Sequence, residues 1–421
     1  MTKKAEIITF GCRLNIYESE ILKQGIKEHK IKDTAIFNSC AVTSESVRQV
    51  KQSIRKRRRE FPDEKIVVTG CAAQIEPETF SKMHEVDLVS GNIEKRDVLN
   101  ILSKEKSAKK IEVQDIMENR QNLNGLTDGY DNRSRAFIEI QNGCDHRCTF
   151  CIIPFGRGNS ISKSVKNIIN EINLMIEKGH KEIVLTGVDI ASWGHDLDKK
   201  SNLGFLVKKI LRGSPDLTRL KLSSMDVIGF DDELLEIIAT DERILPHIHL
   251  SLQAGDNMIL KRMKRRHSRE MAIDFCNKVL SKRKEATFGA DLIAGFPTET
   301  DDMFKDTLDL IDQCHLTHLH VFSYSPRINT PAARMPQVDK STIKDRANTL
   351  RQMGIKKLKK HLAKKIGKKD LILIEKVQNE NSIGKDQNFF NVIVNEKIKE
   401  GDIVTCVYTG INNDMLIAKR I

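Results

Sequence analysis

The chain has 421 residues, with 70 Lys and Arg against 58 Asp and Glu, a net charge of +12 at pH 7. That length predicts two or three domains, and the surplus of positive charge favours a polyanionic partner over a merely soluble basic protein. The opening MTKKAEIITF is too short an apolar run for a secretory signal, and no stretch nears the roughly 20 apolar residues that span a bilayer. The expectation is therefore a cytoplasmic protein without a membrane partner, whose nine cysteines stay reduced and serve metal or redox chemistry.

Residues 1–110 alternate short apolar runs with charged helical stretches. AEIITF, DTAIFNSC, KIVVTGC and VDLVSG read as strands, and SESVRQVKQSIRKRRREF reads as a helix between two of them. That grammar predicts a flavodoxin-like parallel α/β domain. Residues 111–134 are polar, with few apolar anchors, and read as a linker. From 135 to 366 the alternation returns. AFIEIQ, EIVLTGV, LTRLKLSS, HIHLSLQ, TFGADLIAGFP and HLHVFSYSP are six strand candidates with helical stretches between them. They predict a partial, TIM-like (βα)6 barrel, followed by a basic helix. Residues 367–421 change again: LILIEKVQ, FFNVIVN, DIVTCVYTG and DMLIAKRI are strands joined by turns, without a helix. That is the pattern of a small antiparallel β-barrel, a size that often binds oligonucleotides. Its aromatics are few (Phe389, Phe390, Tyr408), so shape and charge should outweigh stacking there.

Three of the N-terminal runs end at cysteines: Cys12, two residues past Phe10, then Cys40 and Cys71. Parallel α/β sheets bind ligands outside the carboxyl ends of their strands, so three thiols delivered to that edge can converge on one site. The sharpest local signal is GCDHRCTFC, with Cys144, Cys148 and Cys151 just after the first barrel strand. Thiolates at these spacings can wrap one iron–sulfur cubane and leave its fourth iron open to a ligand. The alternative is a closed structural zinc site, for which the nearest fourth ligand is His146 inside the loop. Cys276, Cys314 and Cys406 lie within helix or strand patterns and read as core residues.

A CxxxCxxC loop on a partial barrel resembles the radical S-adenosylmethionine superfamily. LTGVD with Thr186 and Gly187, HLSLQAGD with Gln253, and GADLIAGFPTET with Asp291 are similar to the strand ends that line the cofactor there. TFGCRLNIYESE, NSCAVTSESVRQ and VTGCAAQ resemble three signature segments of that superfamily's methylthiotransferase family, and the likeness runs over essentially the whole chain. The resemblance implies two [4Fe-4S] clusters, one on Cys12, Cys40 and Cys71 and one on Cys144, Cys148 and Cys151. It implies S-adenosyl-L-methionine bound near Thr186, Gly187, Gln253 and Asp291, and it assigns no certain catalytic side chain. Its further implications are a C-terminal RNA-binding barrel of the TRAM type, tRNA engaged at the anticodon loop, an electron donor such as flavodoxin or ferredoxin, and a sulfur source. NSCAVT, LTGVD, and SLQAGD followed by LKRMKRRHSRE look most like the branch that transfers a methylthio group to carbon 2 of threonylcarbamoyladenosine at position 37 of tRNA. The isopentenyladenosine branch and the ribosomal-protein aspartate branch are alternatives. A non-enzymatic, zinc-containing RNA-binding protein is the alternative of another class.

Two departures from the family pattern stand out. GRGNSISKS keeps Arg157 but carries Lys163 where many relatives have a later arginine. The family's tyrosine after LTGVD-x-x-S is Trp193, an aromatic suited to stacking on a base. RQVKQSIRKRRRE, KRMKRRHSR and KKLKKHLAKKIGKK are basic runs able to meet phosphates. Deleting residues 370–421 is expected to weaken tRNA binding and leave both clusters in place.

Overall fold

The computed structural model describes residues 4–103, 110–118, 123, 125–130, 133–199 and 201–421. The expected linker therefore lies partly outside the described residues, at 119–122, 124, 131 and 132. No helix among the described residues is long and apolar enough to cross a membrane.

The N-terminal runs form one sheet of five strands: Glu6–Thr9, Thr34–Ser39, Lys65–Gly70, Leu88–Ser90 and Ile111–Glu112. All are parallel and lie in chain order. This corrects the flavodoxin-like expectation, because that fold has the order 2-1-3-4-5. Apolar alternation specifies parallel pairing, but not which neighbour a strand takes. Ile111–Glu112 falls in the stretch read as a linker, and a strand of two residues is too short to show a period. Helix Ser44–Glu60 starts where the Thr43 hydroxyl accepts the Ser46 N–H, and it lays Val47, Val50 and Ile54 on the sheet. Helix Arg13–Glu28 instead sends Leu14 and Tyr17 into the apolar cluster of the next domain, beside Ile138, Ile183 and Leu250.

All six expected barrel strands are present: Arg135–Glu139, Glu182–Thr186, Arg219–Leu222, His247–Gln253, Thr287–Ala294 and Leu316–Ser323. They make two parallel three-stranded sheets, joined by bridges at Leu220–Ile244 and Met225–Leu250. Among the described residues no ladder joins the first strand to the last, so the barrel is partial. Ser164, Asn202, Asp231, Ser268 and Thr300 each accept a backbone N–H from the first turn of the helix that follows. These side chains satisfy donors that a helix start leaves orphaned, and so fix where each strand gives way to its helix.

Helix Lys340–Ala363 leads into a closed barrel of five strands: Lys369–Gln378, Asn381–Lys385, Asn391–Val394, Ile403–Asn412 and Met415–Arg420. The strand NSIGK carries too few apolar residues to read as one. The pair Asn391–Val394 and Met415–Arg420 is parallel, so the barrel departs from the purely antiparallel expectation. Its Asp386–Phe390 turn reaches the bottom of the core barrel. Phe389 stacks on His247 with ring centroids 5.7 Å apart, under the cations of Arg135 and Lys221. Phe390 stacks on His318, and the Asn388 amide donates to Glu285 O at 2.8 Å.

Candidate functional site

Cys12, Cys40 and Cys71 follow three neighbouring strands of the N-terminal sheet, so their thiols share one edge. Cys12 is exposed, while Cys40 and Cys71 are buried. Gly11 has φ +97°, and a Cβ there would meet Cys40 Sγ at 2.9 Å, so only glycine lets these two turns approach. Asn15 ties them together, its amide donating to Phe10 O at 2.7 Å and to Ser39 O at 3.1 Å. Beside them lies Arg157, its side chain 2% exposed, donating to Asn15 Oδ1 at 2.5 Å and to the two oxygens of Glu18 at 2.8 and 3.2 Å. Burial opposes the charge on Glu18, but Arg157 and Lys95 outweigh it and hold the carboxyl at about 2. Burial likewise opposes the Arg157 charge, which Cys71, Glu18 and Cys12 restore. Asn92 closes the far side, bonded to Gly156 O at 2.5 Å and 3.9 Å from Cys71 Sγ.

Cys144, Cys148 and Cys151 lie on the loop that leaves the first barrel strand. Gln141 anchors this loop to its neighbour. Its amide nitrogen donates to Gly143 O at 2.6 Å, and its oxygen accepts the Val188 and Asp189 N–H groups at 3.0 and 2.8 Å. Burial pushes the Cys144 thiol up to about 12 and those of Cys151 and Cys40 to about 11, so thiolate at these positions calls for a metal beside it. Arg265 brings one cation, with Nη1 3.8 Å from Cys148 Sγ and Nη2 on Asp226 at 3.0 Å. His146 Nε2 lies 3.0 Å from Asp189 Oδ2. Among the described residues neither trio is a group whose ligand atoms all lie within 4.8 Å of one another.

One cavity of about 260 Å3 lies against segments that carry both trios, although no cysteine lines it. It is lined by Thr43, three residues past Cys40, by Phe150, between Cys148 and Cys151, and by Gln253, Asp291, Phe322 and Tyr324. Gln253 holds φ +69° at the end of its strand. Asp291 accepts from His249 Nε2 at 3.0 Å, from His320 Nδ1 at 3.2 Å and from the Ser224 hydroxyl at 2.9 Å. Burial alone would raise its pKa, yet these donors hold it well below the usual carboxylate range. Thr186 and Gly187 stand outside the cavity lining: Thr186 is buried and Gly187 packs against Gln141.

Two expectations change. Trp193 is fully buried and donates Nε1–H to Lys163 O at 2.9 Å, so it packs the core and cannot stack on a base. Lys163 is buried too, paired with Glu171 at 2.5 Å, and serves the interior rather than the loop surface. The basic runs are partly spent inside the protein: Arg57 pairs with Glu64 and Glu6, and Arg265 and His267 both meet Asp226. Sequence reading missed Asn15, Gln141 and His320. Only Gln141, at the strand end before GCDHRC, carried a usable positional signal.

Residues 138–311 match the radical SAM superfamily, and residues 4–91 match the uncharacterized protein family UPF0004. Together with a cysteine loop on a partial barrel, this makes the chain a radical S-adenosylmethionine protein. A threonylcarbamoyladenosine tRNA methylthiotransferase of Rickettsia prowazekii is 47% identical over 97% of this chain and 95% of its own length. A protein of the same name from Aquifex aeolicus is 34% identical over 87% and 91%. The chain belongs to the radical S-adenosylmethionine methylthiotransferase family. Among solved structures, the methyltransferase TsrM of Kitasatospora setae, with cobalamin and a [4Fe-4S] cluster bound, shares the fold at TM-score 0.58 and 12% identity, over 79% of this chain and 77% of that one.

Proposed function

We propose that the chain transfers a methylthio group to carbon 2 of threonylcarbamoyladenosine at position 37 of tRNA, using two [4Fe-4S] clusters and S-adenosyl-L-methionine. The observation that carries this reading is the cavity that Thr43, three residues past Cys40, shares with Phe150, which lies between Cys148 and Cys151 in the chain. A base held there would lie against the segments that follow Cys40 and carry Cys148 and Cys151. When bound, the clusters and the cofactor supply one-electron chemistry, sulfur and a methyl group; the chain holds and orients them. Cys12, Cys40 and Cys71 hold one cluster, and Cys144, Cys148 and Cys151 hold the other. Gln253 and Asp291, with Thr186 and Gly187 at the end of strand Glu182–Thr186, bind the cofactor. Arg157 keeps a buried positive charge beside the first trio, and Arg265 does so beside the second.

The chain divides into a cluster domain over 1–110, the radical core over 135–366 and a TRAM-type barrel over 367–421. Phe390 and Tyr408 are buried and Phe389 faces the core barrel, so the terminal barrel engages RNA by shape and charge. Lys356, Lys359 and Lys360 are exposed on the preceding helix and can meet phosphates. The anticodon loop offers its base unpaired, where unstacking costs least. The reaction also draws on an electron donor such as flavodoxin or ferredoxin and on a sulfur source, in the cytoplasm. Nucleoside mass spectrometry of tRNA from a strain lacking the gene tests the reading. Loss of the methylthio group from threonylcarbamoyladenosine is expected. Loss from isopentenyladenosine instead would overturn the substrate, and purified protein holding zinc with little iron or sulfide would overturn the radical chemistry.

A further inference from the structure

One cation of the basic run KRMKRRHSR turns inward and ends at a cysteine of the barrel loop. Arg265 Nη1 lies 3.8 Å from Cys148 Sγ, and the Arg265 side chain is 11% exposed. Arg147, in the cysteine loop itself, is exposed and spends its guanidinium on Cys144 O and Asn159 Oδ1 at 2.7 and 2.8 Å. Water and salt screen a charge placed like Arg147 far more than one placed like Arg265.

Several contacts hold the Arg265 guanidinium at this thiol. Its Nη2 donates to Ser251 O at 2.7 Å and to Asp226 Oδ2 at 3.0 Å. Asp226 is fixed in turn by His267, whose Nδ1 lies 3.0 Å from Asp226 Oδ1. The Thr149 N–H donates to Met263 O at 3.1 Å and the Thr149 hydroxyl to Arg262 O at 2.8 Å. The residue after Cys148 is thereby pinned to the run that carries Arg265. Lys264, just before Arg265, takes φ +57°, a left-handed conformation that persists in a lysine where the surrounding structure enforces it.

Positive charge is left over in this arrangement. Burial opposes the charge on Asp226, but His267, Arg265 and Arg266 outweigh it and hold the carboxyl at about 2. That one carboxylate serves two guanidiniums, since Arg266 Nη2 stands 3.7 Å from the oxygen that Arg265 meets. The group therefore stays net positive beside Cys148. Arg265 Nε is buried as well and has no acceptor among the described residues, although buried N–H groups are ordinarily paired.

We propose that Arg265, placed by Asp226 and Ser251, eases reduction of the cluster held by Cys144, Cys148 and Cys151 by stabilising the negative charge that an added electron puts on Cys148 sulfur. One electron enters from an external one-electron reductant, and no bond forms or breaks. Hydrogen bonds to cysteine sulfur and local net charge are among the levers that set such potentials. The inference rests on the reading that this trio holds the radical cluster.

The test is a dithionite titration of reduction potential, followed by electron paramagnetic resonance, on the full chain with Cys12, Cys40 and Cys71 changed to alanine and reconstituted without oxygen. About four irons per chain are expected in that background. Absence of iron there would overturn the reading of the trio, and the role of Arg265 with it. Arg265→Met should make reduction harder by about 10-fold, equal to about 59 mV for one electron, with iron and sulfide unchanged. Arg265→Lys keeps the charge and should recover part of that shift. Asp226→Asn leaves the guanidinium with less opposing charge and should move the potential the other way. An unmoved potential in Arg265→Met, with its iron retained, would overturn the role of Arg265 alone. If Arg265→Met loses its iron, Asp226→Asn decides: a potential that stays or falls overturns the proposal, and iron lost from that variant too assigns the group to structure alone.

Discussion

The two cysteine trios reach similar donor sets by opposite routes. Cys144, Cys148 and Cys151 come from one continuous loop, so local sequence brings them together. Cys12, Cys40 and Cys71 come from three strand ends and meet only because the sheet is folded in chain order. The difference shows in their surroundings. The distributed trio is braced by long-range polar contacts: Asn15 across two turns, Arg157 from the barrel loop, Lys95 on Glu18. The contiguous trio is anchored by Gln141 at the start of its loop, with Arg265 beside Cys148 and the Thr149 hydroxyl donating to Arg262 O at 2.8 Å. A site assembled from afar depends on tertiary stability in a way that a site written into one loop does not.

The largest effect separates the trios outright. Replacing Cys144, Cys148 and Cys151 with alanine should lower iron from about eight to about four per chain, and replacing Cys12, Cys40 and Cys71 should do the same, as read by iron and labile-sulfide analysis. Next comes the bracing. Arg157→Met leaves Glu18 buried with one partner fewer and should cost about 3–5 kcal/mol in calorimetry. Iron bound by the N-terminal trio should be lost before iron bound by the barrel trio; equal loss from both would break the contrast. Trp193→Phe strands the Lys163 carbonyl and should cost about 1–3 kcal/mol without touching either iron site.

Acid sharpens the same contrast. The folded-state pKa of Glu18 is depressed, so its stabilising contribution is full above the unfolded value near 4.3 and is lost as pH falls toward about 2. Acid unfolding of the metal-free chain should therefore show a limb in that window, and Arg157→Met should shift it toward higher pH. The smallest effect lies on the surface. Lys359→Gln should leave both iron sites intact and reduce the salt dependence of tRNA binding by about one unit of log–log slope.

Local signals were legible, and long-range decisions were not. Six barrel strands, the continuous cysteine loop and three cysteines at strand ends all showed in apolar period and spacing. The order of the N-terminal strands did not, because it depends on which neighbour each helix crossover selects. Trp193 read as a free aromatic because nothing local reveals that its indole caps Lys163 O in the core. Arg265 read as part of a phosphate-facing run, since a basic residue turned toward Cys148 looks the same in sequence as one turned toward solvent. The strand Asn381–Lys385 is specified by barrel closure and not by its own residues.

Phe389 bears on how the chain can be cut. The core barrel is a flask whose stopper is carried by another part of the polypeptide, with Phe389 seated on His247 and Lys221 and Phe390 on His318. Removing residues 370–421 would pull that stopper and let water in from below, beneath a chamber built for reactive species. Such a deletion is therefore expected to open the core barrel from below as well as to weaken tRNA binding. A tail borrowed from another protein would work here only if it brought an aromatic plug to the same seat.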